Sequence, residues 1–211
     1  MPRKYSIKPY VAEGYYHVFN QGIDNRELFS SENDYKKFMQ YVIEYLEPRD
    51  NDKLKRIIHD NAVHYKERRN AARMLNRKNF SDEIKLFAYA LLNNNFHLIF
   101  QQRKKESMQE FMRSLMTRYS MYYNKLYKRK GTLFESAYKA VQIENDIQLL
   151  ERSRIVHGYS IQSYPYCSYQ YYSGFQNNPA WLTTNLILAI YSKRYPKASY
   201  TSYIEGEKIS A

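Results

Sequence analysis

Two apolar segments joined by three consecutive asparagines restrict the fold of this 211-residue chain more than any other feature. The segments are Ile84–Leu92 and Phe96–Gln101, with Asn93–Asn95 between them. Asparagine tolerates the left-handed backbone conformation that a tight turn between antiparallel strands requires. We therefore predict a β-hairpin, in which the two-residue period of a strand directs His97 and Ile99 to the face opposite the phenylalanines.

The segments around this hairpin alternate between strand and helix patterns. Ser31, followed by Asp34, marks the start of one helix, and Pro48 follows its end. In chain order, the patterns predict a strand over residues 14–23, a helix over 31–46, the two strands of the hairpin, a helix over 106–127, a strand over 134–143 and a helix over 146–156. This βαββαβ order is typical of an α+β protein with a ferredoxin-like antiparallel sheet and helices on one face.

Two further parts of the chain extend this core. Residues 49–82 are rich in charge and weakly amphipathic, which predicts an exposed, charged helical insertion. Residues 159–179 are rich in Tyr, Ser and Pro and are expected to be irregular, whereas residues 183–191 predict a last short helix. We expect residues 1–160 to form one domain that contains the insertion, and residues 161–211 to form a C-terminal helical extension packed on it.

A large excess of positive charge indicates the kind of partner. Thirty-three Lys and Arg residues against 21 Asp and Glu give a net charge of +12. Nine basic and two acidic residues fall between Gln101 and Lys130, so +7 of that charge lies in these thirty positions. Phosphate polyanions are the usual partners of so basic a chain, and this concentration favours nucleic acid over a merely solvated surface.

Membrane insertion and secretion fit the sequence less well. The longest apolar runs, Phe87–Leu92 and Leu186–Tyr191, are far shorter than the ~20 residues of a membrane-spanning helix. The basic residues near the start of the chain are followed by no apolar segment of the kind that signal peptides contain. A lone cysteine, Cys167, suits a reducing compartment. We therefore expect a cytoplasmic protein with no membrane partner.

Six short segments, taken in order, carry a resemblance to a known family. They are Tyr16–Asn20 with Gly22, Leu91–Leu98, Phe111–Tyr127, Gly131–Lys139, Tyr164–Tyr169, and a tail from Trp181 to Gly206. Together these segments resemble the REP-associated tyrosine transposases and their insertion-sequence relatives, which are single-tyrosine enzymes of the HUH superfamily. The resemblance runs from about Gly14 to Gly206, and the insertion is its main addition.

The resemblance implies a defined chemistry. In this family, two histidines flanking one hydrophobic residue of a strand bind a divalent cation, typically magnesium or manganese, and an Asn or Gln of a late helix is the third ligand. The cation polarises the scissile phosphate of single-stranded DNA, and a tyrosine four residues before the third ligand attacks it, forming a 5′-phosphotyrosine link. The resemblance therefore implies single-stranded or hairpin DNA as the partner and a homodimer as the assembly.

The sequence departs from the family pattern at three positions. Asn95 occupies the place of the first histidine, while His97 keeps the place of the second. On the register that Arg154 maintains, the nucleophile position is Ile155, whose side chain has no group that can attack phosphorus. The third-ligand position is Tyr159, and a protonated tyrosine is a poor ligand for a hard cation.

Two interpretations of the substituted positions stay open. Asn95 and His97 form either a weak magnesium or manganese site or an ordinary turn asparagine and sheet histidine, and the ligand changes favour the second interpretation. Tyr159 could act as a surrogate nucleophile if the helix continued past Gly158, although glycine commonly ends a helix. We expect His157 to be a surface or capping histidine.

DNA binding does not require the substituted residues, because phosphate contacts need only cations and amides on a shaped surface. Charge and family position predict ten DNA-binding residues: Arg103, Lys104, Lys105, Arg113, Arg118, Lys128, Arg129, Lys130, Lys139 and Arg154. The sequence therefore predicts a transposase-like protein that binds single-stranded or hairpin DNA and has lost strand cleavage, with magnesium or manganese needed only if cleavage persists. Two alternatives remain: an active transposase that uses Tyr159 to nick and join DNA, and an RNA-binding module on the same sheet.

Overall fold

Four antiparallel strands form the sheet on which the rest of the molecule is built. The computed structural model describes residues 10–158 and 166–205. Its strands are β1 (Tyr15–Gln21), β2 (Ile84–Leu92), β3 (Asn95–Gln102) and β4 (Lys139–Ile143). Their spatial order is β2-β3-β1-β4, and every neighbouring pair is antiparallel. This is the strand order of a ferredoxin-like βαββαβ sheet, so the predicted fold class and hairpin are confirmed.

The helices of the described ranges cover both faces of the sheet. They are α1 (Glu32–Leu46), α2 (Asn51–His59), α3 (Tyr65–Asn76), α4 (Ser107–Leu126), α5 (Asp146–Gly158), α6 (Tyr169–Tyr172), α7 (Asn185–Arg194) and α8 (Tyr200–Glu205). Helices α1 and α4, which connect strands, pack on one face, as the sequence predicts. Helices α5, α7 and α8 pack on the opposite face. None of these helices is long and apolar enough to cross a membrane.

Strand alternation divides the buried residues into two apolar cores. Phe96, Leu98 and Phe100 join Tyr16 and Val18 in the core beneath α1 and α4, as the two-residue period predicts. The core on the α5 face takes the other residues of the sheet together with apolar residues of the C-terminal helices; it includes Phe87, Ala88, Ile99, Leu149, Ile187 and Tyr203. Phe87 and Ala88 are consecutive and share this core because the pairing of β2 with β3 shifts register between Leu86 and Ala88. The C-terminal segment therefore packs directly on the sheet.

One buried carboxylate fixes the start of α1 against the end of α4. The backbone N–H of Ser31 donates to the carboxylate of Asp34 over 2.9 Å, which caps the helix at Glu32. The hydroxyls of Tyr122 on α4 and of Tyr127, the residue that follows α4, donate to the same carboxylate over 3.1 and 2.6 Å. Because these bonds satisfy a fully buried charge, the two helices are held in a defined register.

Strand β4 is shorter than the strand predicted over residues 134–143. The side-chain amide of Asn20 donates to the carbonyls of Ser136 and Ala137 over 2.9 and 3.2 Å. These bonds hold the segment before Lys139 as a loop, and Phe134 at its start is buried in the core beneath α1 and α4. The alternation that resembles a long strand therefore includes one loop residue, Phe134, that is buried without belonging to β4.

The segment over residues 49–82 is helical and largely exposed, as predicted. Helices α2 and α3 pack against each other and bury only Leu54 and Ala71 of their own residues. Arg77, which follows α3, forms an ion pair with Glu44 of α1. The insertion is thus attached to the core at its end and leaves its charged helical surfaces to solvent.

Candidate functional site

Two histidines from neighbouring strands meet on the face of the sheet that carries α5. Strands β1 and β3 pair with Phe19 opposite His97 and His17 opposite Ile99, so the two imidazoles lie diagonally on one face. His17 Nε2 lies 3.0 Å from His97 Nδ1, and the Phe19 ring stacks on His97 with 5.5 Å between centroids. A hydrogen bond between two ring nitrogens needs one acceptor, so at least one ring is neutral.

Burial keeps both rings unprotonated at neutral pH. It lowers the pKa of His17 to about 3, with smaller contributions from the charges of His97 and Arg152. Burial also lowers the pKa of His97 to about 4. The pair is therefore a neutral nitrogen site and not a cationic site for phosphate.

The donor atoms beside this pair do not fit the divalent cation that the resemblance implies. The side-chain amide of Asn95 donates to Asn94 Oδ1 over 2.8 Å, and Asn95 Oδ1 is buried without a hydrogen-bond partner among the described residues. In the same ranges, no group of three His, Cys, Asp or Glu could hold an ion. Magnesium and manganese prefer carboxylate and other hard oxygen ligands, whereas Asn95 and His97 offer one amide and one imidazole. Asn95 is the first residue of β3 and not a turn residue, and the weak cation site with His97 stays a prediction.

Helix α5 positions the residue that takes the place of the nucleophile. The helix buries Leu149 and Val156 and leaves Ile155 42% exposed. Arg152 lies one turn before Ile155 on the same side of the helix, and its charge acts on His17. The helix includes Gly158, two residues beyond its predicted end, and Tyr159 lies outside the described residues. The alkyl side chain of Ile155 has no lone pair with which to attack a phosphate.

The α5 face of the sheet is open over β1 and β4. Cross-strand pairs place Lys139 beside Phe19 and Val141 beside His17, and the side chains of such pairs share a face. Lys139 is exposed and Val141 is 38% exposed, because α5 packs over β2 and β3 instead. We call this surface, formed by Phe19, Lys139 and Val141 above the buried His17, the open strip; Arg152 of α5 lies close enough for its charge to act on His17.

The ten predicted DNA-binding residues do not form one cluster. Eight are exposed: Arg103, Lys104, Lys105, Arg113, Lys128, Lys130, Lys139 and Arg154. Arg103–Lys105 and Lys128–Lys130 stand at opposite ends of α4, a helix of 20 residues that spans about 30 Å. Arg118 is half-buried, paired with Glu44 over 2.6 Å, and Arg129 is also half-buried. Of the ten, Lys139 lies on the open strip, and the other charges are spread around the molecule.

His157 is fully buried, which corrects the expectation of a surface or capping histidine. Its Nδ1 lies 2.8 Å from the Tyr200 hydroxyl, and its Nε2 lies 2.7 Å from Ser168 Oγ. Tyr200 donates to Ser153 Oγ over 3.0 Å, and the Tyr89 backbone N–H donates to Ser168 Oγ over 2.8 Å. Because Tyr200 donates its proton to Ser153, it accepts from Nδ1 of His157, and Nε2 then accepts from Ser168. Burial lowers the pKa of His157 to about 3, so the ring stays neutral and joins α5 to the C-terminal segment.

Replacing His157 with alanine is expected to destabilise the protein by about 3–5 kcal/mol, because the change leaves a cavity and two buried hydroxyls without their partner. The matched control is Ile155→Ala, on the exposed side of the same helix, for which we expect a change of about 0.5 kcal/mol or less. Urea unfolding followed by circular dichroism measures both variants. Equal midpoints for the two variants would contradict this role of His157.

Sequence reasoning missed two residues of this site, His17 and Arg152. Strand alternation alone places His17 on the same face as Phe19. Its contact with His97 depends on the register between β1 and β3, which are separated by the insertion and by β2 in the sequence. Helical spacing weakly indicates a role for Arg152, because a residue three positions before Ile155 lies on the same side of the predicted helix.

Comparisons with known proteins agree with this architecture. The family model described as "Transposase IS200 like" matches residues 10–154, a segment that includes His17, Asn95 and His97 and ends before Ile155. A solved REP-associated tyrosine transposase bound to a REP hairpin has a similar fold, with a TM-score of 0.52 and 10% sequence identity over 88% of this chain and 92% of that chain. No curated protein matches the chain. Since the family model covers well over half of the sequence, this chain belongs to the IS200-like transposase family.

Proposed function

We propose that this protein binds hairpin or single-stranded DNA along the open strip and does not cleave it. The observation that carries the proposal is Ile155, an exposed alkyl side chain on α5 where the family resemblance places the attacking tyrosine. The neutral donor set of Asn95 and His97 supports the same conclusion, because it suits a hard divalent cation poorly. Neither feature weakens DNA binding, which depends on charge and shape.

The open strip offers a DNA strand both charge and apolar contact. Lys139 on β4, opposite Phe19, and Arg152 on α5, whose charge acts on His17, supply the cations, and Phe19 and Val141 supply the apolar contact. Glu135 lies 3.9 Å from Lys139, but both side chains are exposed, and such a pair exchanges readily for a phosphate. Two observations support hairpin DNA as the ligand: the net charge of +12 and the REP hairpin held by the solved transposase of similar fold.

The protein is expected to bind a DNA hairpin in a manner that depends strongly on salt and not on metal. For the two phosphate contacts that Lys139 and Arg152 can make, the affinity falls roughly tenfold between 50 and 200 mM salt. Addition of EDTA is expected to leave the affinity unchanged, because the site that we propose contains no metal ligand set. Fluorescence anisotropy with a labelled hairpin measures both effects, and loss of binding in EDTA would contradict the second.

A charge-reversal pair tests whether the open strip is the binding surface. Lys139→Glu together with Arg152→Glu is expected to weaken hairpin binding by about tenfold or more, since each lost phosphate contact and the added repulsion act together. The control carries the same charge change on the exposed insertion, as Lys53→Glu with Lys66→Glu. Tighter binding of a matched RNA hairpin would favour the RNA-binding alternative instead.

A further inference from the structure

The outer surface of α1 and α4 carries a groove on the face of the sheet opposite the open strip. Two adjoining depressions of about 640 and about 600 Å³ share Tyr122 and Leu126 as lining residues. We call their combined surface the α1–α4 groove, and its main residues are Lys36, Lys37, Tyr41, Tyr122, Lys125 and Leu126. The proposed function makes no use of this surface, and Arg118 is the one residue of its lining that is among the ten predicted DNA contacts.

The lining of the α1–α4 groove is positively charged. Among the described residues, its lining contains three lysines and no carboxylate; Arg118 also lines it, but its guanidinium lies over the Tyr41 ring and is paired with Glu44. Lys36 is paired with Glu32 over 2.7 Å, but both side chains are mainly exposed, so a phosphate can replace this partner at little cost. Lys37 donates to the amide oxygen of Gln40 over 2.8 Å and has no carboxylate partner among the described residues. A polyanion is the ligand that complements such a surface.

Aromatic and apolar side chains lie among these cations. The rings of Tyr41 and Tyr122 are perpendicular, with 6.4 Å between centroids, and Lys37 Nζ lies 5.9 and 5.8 Å from the two centroids. The bond from Tyr122 to Asp34 fixes one ring, and burial together with that carboxylate raises its pKa to about 12, so it stays neutral. Met121 is 69% exposed and Leu126 is 51% exposed beside them.

We propose that the α1–α4 groove binds an unpaired DNA strand. Bases stack on aromatic rings while cations follow the phosphates, which is how proteins hold single strands without reading sequence. A duplex keeps its base faces covered, so only unpaired nucleotides can use the rings and Met121. A second copy of this chain is a poorer occupant, because a twofold interface through the groove would bring like charges together. This inference rests on the proposed function, because both assign DNA as the ligand. It gives one molecule two DNA-binding faces.

Three labelled probes separate the two surfaces: oligo(dT) of about 20 nucleotides, a blunt hairpin, and the same hairpin with an unpaired tail of about 12 nucleotides. The groove variant is Lys37→Glu with Lys125→Glu, and the control is Lys53→Glu with Lys66→Glu. We expect the groove variant to weaken binding of oligo(dT) and of the tailed hairpin by about tenfold or more, and that of the blunt hairpin by less than about twofold. The control is expected to change none of the three.

Equal binding of oligo(dT) by the groove variant and the control overturns the inference. The inference is also overturned if sedimentation shows that the parent protein is a dimer and that the groove variant is a monomer with unchanged affinity for oligo(dT). In that case the groove is a protein interface. Tighter binding of oligo(rU) than of oligo(dT) contradicts the choice of DNA. Groove-dependent binding of oligo(dT) and of the tailed hairpin, with no binding of the blunt hairpin, supports this inference and contradicts hairpin binding along the open strip, so the two failures are distinguishable.

Discussion

Restoring three side chains, Asn95→His, Ile155→Tyr and Tyr159→Asn, is expected to convert the protein into one that joins covalently to DNA. The change returns a phenol to the exposed position on α5 and a second imidazole to β3, which are the groups that the family resemblance requires. We expect a covalent protein–DNA product at about tenfold or more above background, in the triple variant alone. A denaturing gel with labelled hairpin DNA and manganese measures it.

The matched control for this experiment replaces only the hydroxyl. Asn95→His with Ile155→Phe and Tyr159→Asn keeps the ring and the altered strand but removes the attacking oxygen, so no covalent product is expected. A triple variant that folds and binds the hairpin yet forms no adduct would show that other parts of the chain also prevent cleavage. That result would contradict our assignment of the loss of DNA cleavage to these three positions.

Acidification is expected to unfold the protein at a pH where most domains remain folded. Burial lowers the pKa of His17 to about 3, of His97 to about 4 and of His157 to about 3. As the pH falls below about 6.5, the unfolded chain takes up protons on these histidines while the folded chain does not. The free energy of unfolding is therefore at its full value above about pH 6.5. It declines toward pH 4 by up to about 4 kcal/mol per pH unit for three histidines.

Circular dichroism followed from pH 7.5 to pH 4 measures this decline, and we expect a midpoint near pH 5, since domain stabilities are about 5–15 kcal/mol. The control is His59→Ala with His64→Ala, which removes two exposed histidines of the insertion and is expected to leave the profile unchanged. Constant stability between pH 7 and pH 5 would show that the buried rings do not stay neutral in the folded protein.

Local patterns were sufficient to predict the elements of the sheet and the helices that connect its strands. The asparagine turn defined the hairpin, and the helical period of α1 and α4 identified their buried sides. These features depend on neighbours in the sequence. Helix α5 was harder to interpret, because apolar residues occur all around it: Ile147 and Ile155 are exposed while Leu149 and Val156 are buried. Without a clear apolar side, the pattern could not show that His157 faces inward.

The site itself depends on contacts between distant parts of the chain. His17 meets His97 only through the β1–β3 register, and His157 is buried only because Ser168 and Tyr200 fold back against α5. Neither contact has a local signal. Lys139 is a different case: charge predicted its role, but only the pairing of β4 with β1 shows that it lies beside Phe19 on the open strip. Charge alone did not separate it from the nine other cations.

The most direct test of the account is a search for a covalent intermediate with the unmodified protein. The purified chain is mixed with labelled hairpin and single-stranded DNA in magnesium or manganese, and the products are resolved on denaturing and native gels. We predict no covalent band on the denaturing gel, together with a salt-sensitive complex on the native gel. A covalent band that disappears in Tyr159→Phe would contradict the account, because it would identify an active transposase with a relocated nucleophile.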